Sequence, residues 1–478
     1  MKARKSLLLG ILVVAMACFC ASPLLAQDPS NDKPKPAARV LMPLPDLSGD
    51  QQDSDQSGQA MEPDHGPISG VQAGTLGTSQ LRHSYWVTGL QYGNTAETNS
   101  VNTSQTSGWT TTNYASGNLS LLEAWAHAQF GMNYSGGGFF SSASGQGNGQ
   151  FHQLSSAFEL DQRRWQMLVI EQFSYLPQTA FGFGGATGLS VPGITGALAA
   201  PLPGLQPTFV PGQSAFSATG PRYSSASAAQ LTYMVSRRGS LTAAVVYGRL
   251  RFNDAGNISN DTQILSVGYN YAITRKNYVG VIYRFTAYHF PGDPQALGDQ
   301  VFQLMYARRV TGKIALNLAG GPDWSNFRVP VNGTRQTLSG GGMASLSYAL
   351  NKSALRVGYS HGISNGSGVF AGSSTDEVQA SWGRPISRAW IASLNLGYSR
   401  NSTIVKLKAL SSPSYASWLT GAGLDRPLGR SARFSFGYQA QIQASNGLVC
   451  TTTACQTTQV THQIQMSVQW NAPPQVIR

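Results

Sequence analysis

The sequence predicts an all-β fold: a transmembrane, antiparallel, up-and-down β-barrel of about 18 strands, with 16 as the smaller alternative, after a disordered N-terminal extension. Three observations carry this expectation. Hydrophobicity alternates at period two, basic turns recur at a steady interval, and an export leader precedes a chain poor in charge.

The alternation is cleanest near the C-terminus. Ile464, Met466, Val468 and Trp470 fall on one face of an extended run, and Gln463, Gln465, Ser467 and Gln469 on the other. Phe434, Phe436, Tyr438, Ala440 and Ile442 alternate with Ser435, Gly437, Gln439 and Gln441. The same pattern recurs at Leu265 to Tyr271, Leu355 to Tyr359 and Trp390 to Tyr398. A strand with one apolar face and one Gln/Ser face suits lipid outside and a wet lumen inside.

The second observation is a period. Basic residues recur in short breaks at Arg163-Arg164, Arg237-Arg238, Arg275-Lys276, Lys313, Lys352, Arg388 and Arg430, roughly 36 to 42 residues apart from Arg238 onward. Each interval holds two alternating runs, one tight turn and one longer Gly/Ser/Asn-rich loop, and a tilted membrane strand needs about nine to eleven residues. A propeller blade of similar period divides into four short strands with signatures absent here. An even strand count places both termini and the short basic turns on the periplasmic side. The longest loop, about 177–221, carries Phe181, Phe183 and Phe209 and either folds into the lumen or caps the surface. Trp165, Tyr278, Tyr306, Tyr348, Trp390 and Trp470 lie near strand ends, where interfacial girdles belong.

The third observation is the leader. Lys2, Arg4 and Lys5 precede the uncharged run Ser6 to Cys20, and Ala26 precedes Gln27, so residues 1–26 read as a signal peptide although Leu24 is bulky for its position. A lipoprotein cleaved at Cys18 is the alternative, but nothing leucine-like stands three residues before it. No later apolar run is long enough for a spanning helix, so residence in a membrane requires a closed barrel. Only 11% of residues are charged, against about a quarter in soluble domains. The net charge is +12, with three of those charges in the leader. Export and the lack of a basic helix argue against nucleic acid, leaving anionic lipid or lumenal selectivity.

Residues 27–80, rich in Pro, Asp, Gln and Ser, are expected to be a disordered periplasmic linker, and 81–478 the barrel. Asp50, Asp53 and Asp55 lack the glycine turn and closing glutamate of a calcium loop. Cys450 and Cys455 are expected to close a loop-stapling disulfide in an oxidising compartment; a metal would need ligands the loop does not contain.

Several segments resemble an uncharacterised porin-like outer-membrane barrel family: Tyr134 to Gly138, Ser174 to Pro177, Gly268 to Ala272, Leu396 to Tyr398, Pro427 to Arg430, the Cys450/Cys455 loop and His462 to Ile464. The resemblance runs from about Ala115 to Trp470 and implies a barrel without implying a substrate. One departure concerns assembly. Many such barrels end on an aromatic residue, whereas here Asn471 to Arg478 follow Trp470, and Pro473 and Pro474 should stop the strand.

No phosphate-binding loop and no HExxH occurs. The G-x-S-x-G match Gly362 to Gly366, after His361, runs into Gly/Ser-rich sequence instead of a helix, so a barrel loop is expected over a nucleophile elbow. The glycine triplets 136–138 and 340–342 suggest bulges or close backbone approach. By parity, Arg284 and Arg356 are lumenal selectivity candidates, and Gln303, Gln439, Gln441, Gln463 and Gln465 are polar wall candidates; the alternative is a cross-barrel hydrogen-bonded network in a narrow or plugged pore. Arg308 shares parity with Phe302, Leu304 and Tyr306 and does not qualify. Glu171 shares a face with Met167, Val169 and Phe173, which suggests a hidden bulge or a wrong face assignment. The expected function is a passive or weakly anion-preferring pore for small solutes, or a polymer export conduit, in the outer membrane of a Gram-negative-type cell. The expected partners are membrane lipid, the barrel assembly machinery and a small-molecule or polymer substrate; no cofactor is expected. The alternatives are a plugged structural or interaction barrel, and a barrel-wall hydrolase built on a Ser-His pair.

Overall fold

The computed structural model describes residues 84–98, 108–142, 148–176, 222–253 and 258–477, the last with short gaps at 275, 312, 332, 351–352, 367–368, 388, 406–412, 430 and 447–457. The leader, the 27–80 extension, the 177–221 loop and the Cys450/Cys455 pair lie outside the described residues.

The wall begins with β1 (Tyr85–Thr98), β2 (Trp109–Ala124), β3 (Ala128–Ser141), β4 (Gly149–Asp161), β5 (Trp165–Leu176) and β6 (Arg222–Met234). It continues through β7 (Gly239–Phe252), β8 (Asn260–Ala272), β9 (Asn277–His289), β10 (Ala296–Arg309), β11 (Ile314–Val331) and β12 (Thr334–Leu350). The last third is β13 (Ser353–Ser364), β14 (Ser373–Pro385), β15 (Ile391–Ser402), β16 (Ser414–Leu428), β17 (Ala432–Ser445) and β18 (Thr458–Asn471), with a two-residue β19 (Gln475–Val476). Each wall strand pairs antiparallel with its sequence neighbours, and β1 closes the barrel on β18. The eighteen-strand barrel expected from the sequence is therefore what the chain forms.

Following paired residues once around the wall returns to β1 displaced by about 22 residues. A wall of that shear tilts its strands by roughly 40° and holds its backbone roughly 18 Å from the axis. The tilt also means that a row of hydrogen-bonded neighbours descends from one end of the barrel to the other.

Period-two sequence becomes two faces. On β8, Leu265, Val267, Tyr269 and Tyr271 point outward and are 38–50% exposed, while Ser266 and Asn270 point inward at 7%. Leu304, Phe302, Leu394, Leu396, Trp418, Met466 and Val468 continue the exposed apolar skin around the barrel. A skin of that extent does not persist in water; lipid is the solvent that accepts it, and closure leaves no unpaired edge within the hydrocarbon. Trp165, Tyr306, Tyr348, Trp390 and Trp470 take outward positions near one rim, as a girdle requires, with Trp165 against Tyr233 at 4.5 Å and the Arg426 guanidinium over Trp390 at 5.3 Å. Tyr278 departs from the expected girdle: it pairs with Ala272 and Ala307 on the inner face.

Four of the short connections share one construction. Ser236 Oγ accepts hydrogen bonds from the Arg238 and Gly239 amides at 3.2 and 2.9 Å. Thr274, Thr311 and Ser387 do the same for the amides two and three residues ahead, at 3.1–3.2 Å. Each hydroxyl satisfies two amides that the ladder cannot reach, which permits a turn this short.

Two expectations about irregularity are corrected. The β4–β5 and β5–β6 registers run unbroken past Glu171, so no bulge is hidden there. Glu171 stands on the outer face beside Ser156 and Ser227, and the Ser227 hydroxyl donates to its carboxylate at 2.6 Å. The glycine triplets likewise lie in continuous registers without a bulge, while the close backbone approach also expected of them is present at Gly137, where a Cβ would collide with the Ala115 carbonyl. The irregularities of β11 lie elsewhere: its register with β12 shifts between Asn326 and Val331, and at Pro322 in mid-wall the β10–β11 pairing lapses between Val301/Asp323 and Leu304/Gly320 without a change of register. Proline has no amide to give, and a Cβ on the adjacent Gly321 would collide with the Phe302 carbonyl.

At the seam, β18 ends at Asn471 before Pro473 and Pro474, yet the chain does not leave the wall. Ala472 donates to the Thr88 carbonyl at 2.7 Å, β19 pairs with Tyr85 and Trp86, and Ile477 donates to the Ser84 carbonyl at 2.9 Å. The prolines interrupt the ladder only where their missing amides fall.

Gly321→Val should destabilise the barrel by about 2 kcal/mol or more, read as a lower urea midpoint in detergent and loss of the heat-modifiable band. Gly340→Val, whose added Cβ meets nothing within 4 Å, should leave both unchanged.

Candidate functional site

The lumenal wall is the only surface on which the sequence placed functional residues, and parity puts every one of them there. Arg284 (β9), Gln303 (β10), Arg356 (β13), Gln439 and Gln441 (β17), and Gln463 and Gln465 (β18) all take inner-face positions. Arg284 and the five glutamines are each at most 7% exposed, and Arg356 is half-buried.

The barrel's tilt arranges these residues as an inclined track. One row of paired residues runs Glu97, Gln463, Gln439, Gly421, Asn395, Ser381, Arg356 and Ser347 across β1 and β18 back to β12. Seven strand spacings make it about 34 Å long. It starts near the long-loop end of β1 and finishes near the short-turn end of β12. A parallel row, Thr461, Gln441, Leu419, Gly397, Gln379, Gly358, Ser345 and Asn317, lies beside it. Apart from Glu97, Arg356, Leu419 and three glycines, the side chains are amides and hydroxyls, which donate and accept without fixed charge.

Some of those groups are incompletely bonded. Gln439 Nε2, Gln441 Oε1, Gln463 Oε1, Thr95 Oγ1 and Ser417 Oγ are buried without a hydrogen-bond partner. Leaving such an atom unsatisfied costs about 1–3 kcal/mol, so water or solute is expected to complete them.

Charges on the inner face do not follow the net charge of the chain. Among the described residues the inner-face acids include Glu97, Glu159, Asp161, Asp299, Asp323, Glu377 and Asp425; the inner-face bases include Arg284, Arg309, Arg356 and Arg433. Gln166 donates to Glu159 at 2.8 Å, Ser435 to Asp425 at 2.6 Å, and Gln379 to Glu377. Basic residues gather instead in the short turns, where Arg163, Arg164, Arg237, Arg238, Lys276 and Lys313 are exposed.

Arg284 has a setting that the sequence did not reveal. On the neighbouring strands Asp299 and Asp323 take inner positions at 0% exposure, beside an Arg284 that is 6% exposed. The Arg284 charge acts on the Asp299 carboxyl, which also meets that of Asp323, and Ser325 donates to Asp299 at 3.4 Å. Arg284 thus has an inner-face acid on each of the next two strands, Asp299 diagonal to it across β10 and Asp323 level with it on β11. Its parity was legible, but the cross-strand pairing of β9, β10 and β11 that brings the acids to it was not.

The second unforeseen feature narrows the long-loop mouth. β12 and β13 pair only as far as Gly342/His361, while β13 stays paired with β14 through Ser364/Ser373. The tip of the β13–β14 hairpin therefore leaves the line of the wall. Its Ile363 and Ala371 pack against Tyr288, Phe290, Leu297 and Phe327, and the Tyr288 hydroxyl donates to the Ile363 carbonyl at 3.2 Å. Tyr288, Leu297 and Phe327 are inner-face residues, so the tip rests on the inside of the barrel. Gly372 makes this approach feasible: its φ is +90°, and a Cβ there would lie 2.7 Å from Leu297 Cδ2.

The same region gives the geometry of the Ser364/His361 pair, the one Ser-His pair with a sequence motif behind it. Ser364 Oγ meets Ser373 at 2.8 Å and Thr375 at 2.7 Å, and Thr375 donates to Asn401 at 2.8 Å. His361 lies on the opposite face of β13, where its Nδ1 meets Asp376 at 2.7 Å and Tyr359 donates to the same carboxylate at 3.1 Å. A wall one strand thick separates the serine from this histidine, so the two cannot form a nucleophile–base pair.

No known protein family and no curated protein matches the chain. Among solved structures, it is similar to OccK5 (OpdH) of Pseudomonas aeruginosa at 11% identity and a TM-score of 0.42, covering 83% of this chain and 100% of that one. The outer membrane protein OpdK of the same organism aligns at 10% identity and a TM-score of 0.41, covering 82% and 100%. OccAB4 of Acinetobacter baumannii aligns at 9% and 0.41, covering 82% and 98%.

Arg284→Met strands two buried carboxyls and should lower stability by about 3 kcal/mol, whereas Arg284→Met combined with Asp299→Leu should recover at least half of that loss. Urea unfolding in detergent measures both; strictly additive losses would mean that the two groups do not interact.

Proposed function

We propose that the chain is an outer-membrane channel for small solutes, inserted with its short turns and both termini at the periplasmic side and its long loops outside. One observation carries the reading: a closed eighteen-strand wall whose outer face is apolar and whose inner face carries the buried polar side chains, set among aliphatic ones such as Val246, Ile264 and Val301. Barrels of this strand number have room for an aqueous path, and groups lining such a path bias what passes. Membrane lipid and the barrel assembly machinery are the partners this placement requires.

The balance of inner-face charge supports a pore that is neutral or weakly cation-preferring, in place of the anion preference expected from the net charge. Arg284 contributes little to selection because Asp299 and Asp323 adjoin it. Arg356, half-buried at the short-turn end of the polar track, is the arginine that lies on that track. The mouth hairpin supplies a constriction set by packing.

A second reading, a structural barrel with a filled lumen, is favoured by the burial of inner-face groups such as Thr286, Asp299, Asp323 and Ser325, each at 0% exposure.

Single-channel recording in planar bilayers separates the two. The channel reading expects stable open steps and a reversal potential near zero or on the cation side in a salt gradient. A folded, heat-modifiable barrel that never conducts would establish the filled barrel instead. Leu297→Ala, which removes packing worth about 2 kcal/mol or more beneath the hairpin tip, should raise the conductance of each step without altering its ion preference.

A further inference from the structure

Incompletely bonded polar groups occur around much of the inner wall, and one set of them is contiguous. Thr95 on β1, Gln463 on β18, Gln439 and Gln441 on β17 and Ser417 on β16 form one patch across four consecutive wall strands. Within it, Gln463 pairs across the sheet with Gln439, and Gln441 with Thr461 and Leu419. Each of the three glutamines is at least nine-tenths buried with an amide atom that has no partner. Turning an amide over exchanges its donor and acceptor ends, so the patch offers both kinds of group whichever way the amides are placed.

The surroundings define what would complete them. The nearest inner-face cations are distant: Arg433 lies six residues along β17 from Gln439, about 20 Å away, and Arg356 lies four strands away, about 19 Å. Glu97 adjoins Gln463 on the other side and repels anions. A charged ligand would therefore surrender hydration without gaining a counter-charge. A neutral ligand rich in hydroxyls would lose nothing of that kind, since neighbouring hydroxyls on a ring present alternating donors and acceptors at amide spacing. An apolar surface completes the patch at its long-loop edge, where Tyr415, two residues from Ser417 on the same face of β16, stacks on Phe370 at 5.7 Å.

We propose that the inner face of β1 and β16–β18 is a binding site for neutral polyhydroxylated solutes, sugars above all, held by Gln439, Gln441 and Gln463. The proposal rests on the reading that solutes enter the lumen, and its test is chosen so that each can fail alone.

Isothermal titration calorimetry on the folded barrel in detergent, with sucrose as the probe and gluconate as its charged counterpart, measures the site without requiring conduction. Sucrose should bind saturably and gluconate should not. The Gln439→Leu/Gln463→Leu double variant should weaken sucrose binding at least tenfold. If that variant fails the heat-modifiability check of folding, Gln441→Leu alone should weaken it at least threefold. Absence of saturable sucrose binding, equal binding of gluconate, or unchanged affinity in a folded leucine variant would overturn the site. Bilayer recording of the same preparation keeps the two ideas apart. A barrel that conducts but binds no sucrose loses the sugar site and keeps the pore; one that binds sucrose but never conducts keeps the site and loses the pore.

Discussion

The structure depends on one constraint: in hydrocarbon, each backbone amide and carbonyl must find its partner within the chain. Closure of β1 on β18 is the global answer, because any open edge would present a row of unmet groups to lipid. The local details follow from the same demand. Four Ser/Thr hydroxyls take up the amides left over at short turns, β19 returns to the seam after two prolines, and Pro322 is tolerated only at an interruption where glycine lets two backbones approach. Glu171, on the outer face, is the side-chain counterpart. Charge there is costly in a depth-dependent way, and a serine hydroxyl at 2.6 Å reduces that cost.

Much of this was legible in the sequence because strand periodicity is a local property. Alternation at β8, β17 and β18 fixed the face of each residue, and the basic turns fixed the repeat, so the barrel and the inward placement of Arg284, Arg356 and the glutamines could be read directly. What failed were statements about neighbours. Tyr278 looked like a girdle residue because it begins a strand, but parity places it inside. Glu171 looked like a register fault because an acid on a lipid face was discounted. The acids beside Arg284 come from strands 15 and 39 residues further along the chain, and only the register of β9, β10 and β11 brings them together. The Ser/Thr turn device was present in the sequence two residues before Arg238, Lys276 and Lys313 and could have been recognised there by its spacing.

The distribution of charge follows from the same two-faced wall. A chain of net charge +12 would be expected to hold a positive lumen, yet its bases lie preferentially in exposed turns while its inner face carries amides, hydroxyls and carboxylates held by neutral donors. Net charge is a property of the whole surface, and in a barrel that surface is divided among turns, skin and lumen. The electrostatics of a path through the wall are set by the inner third alone.

The mouth and the wall are held by different forces, and this has a thermal consequence. The wall strands are joined by backbone hydrogen bonds, whereas the β13–β14 tip rests on Tyr288, Leu297 and Phe327 largely through apolar contact, with a single hydroxyl-to-carbonyl bond beside it. Apolar association weakens on cooling, while a closed ladder in lipid has no competing water to dissolve it. The aperture of this barrel is thus coupled to temperature in the opposite sense from ordinary thermal loosening: cold relaxes the mouth while the cylinder beneath it keeps its shape.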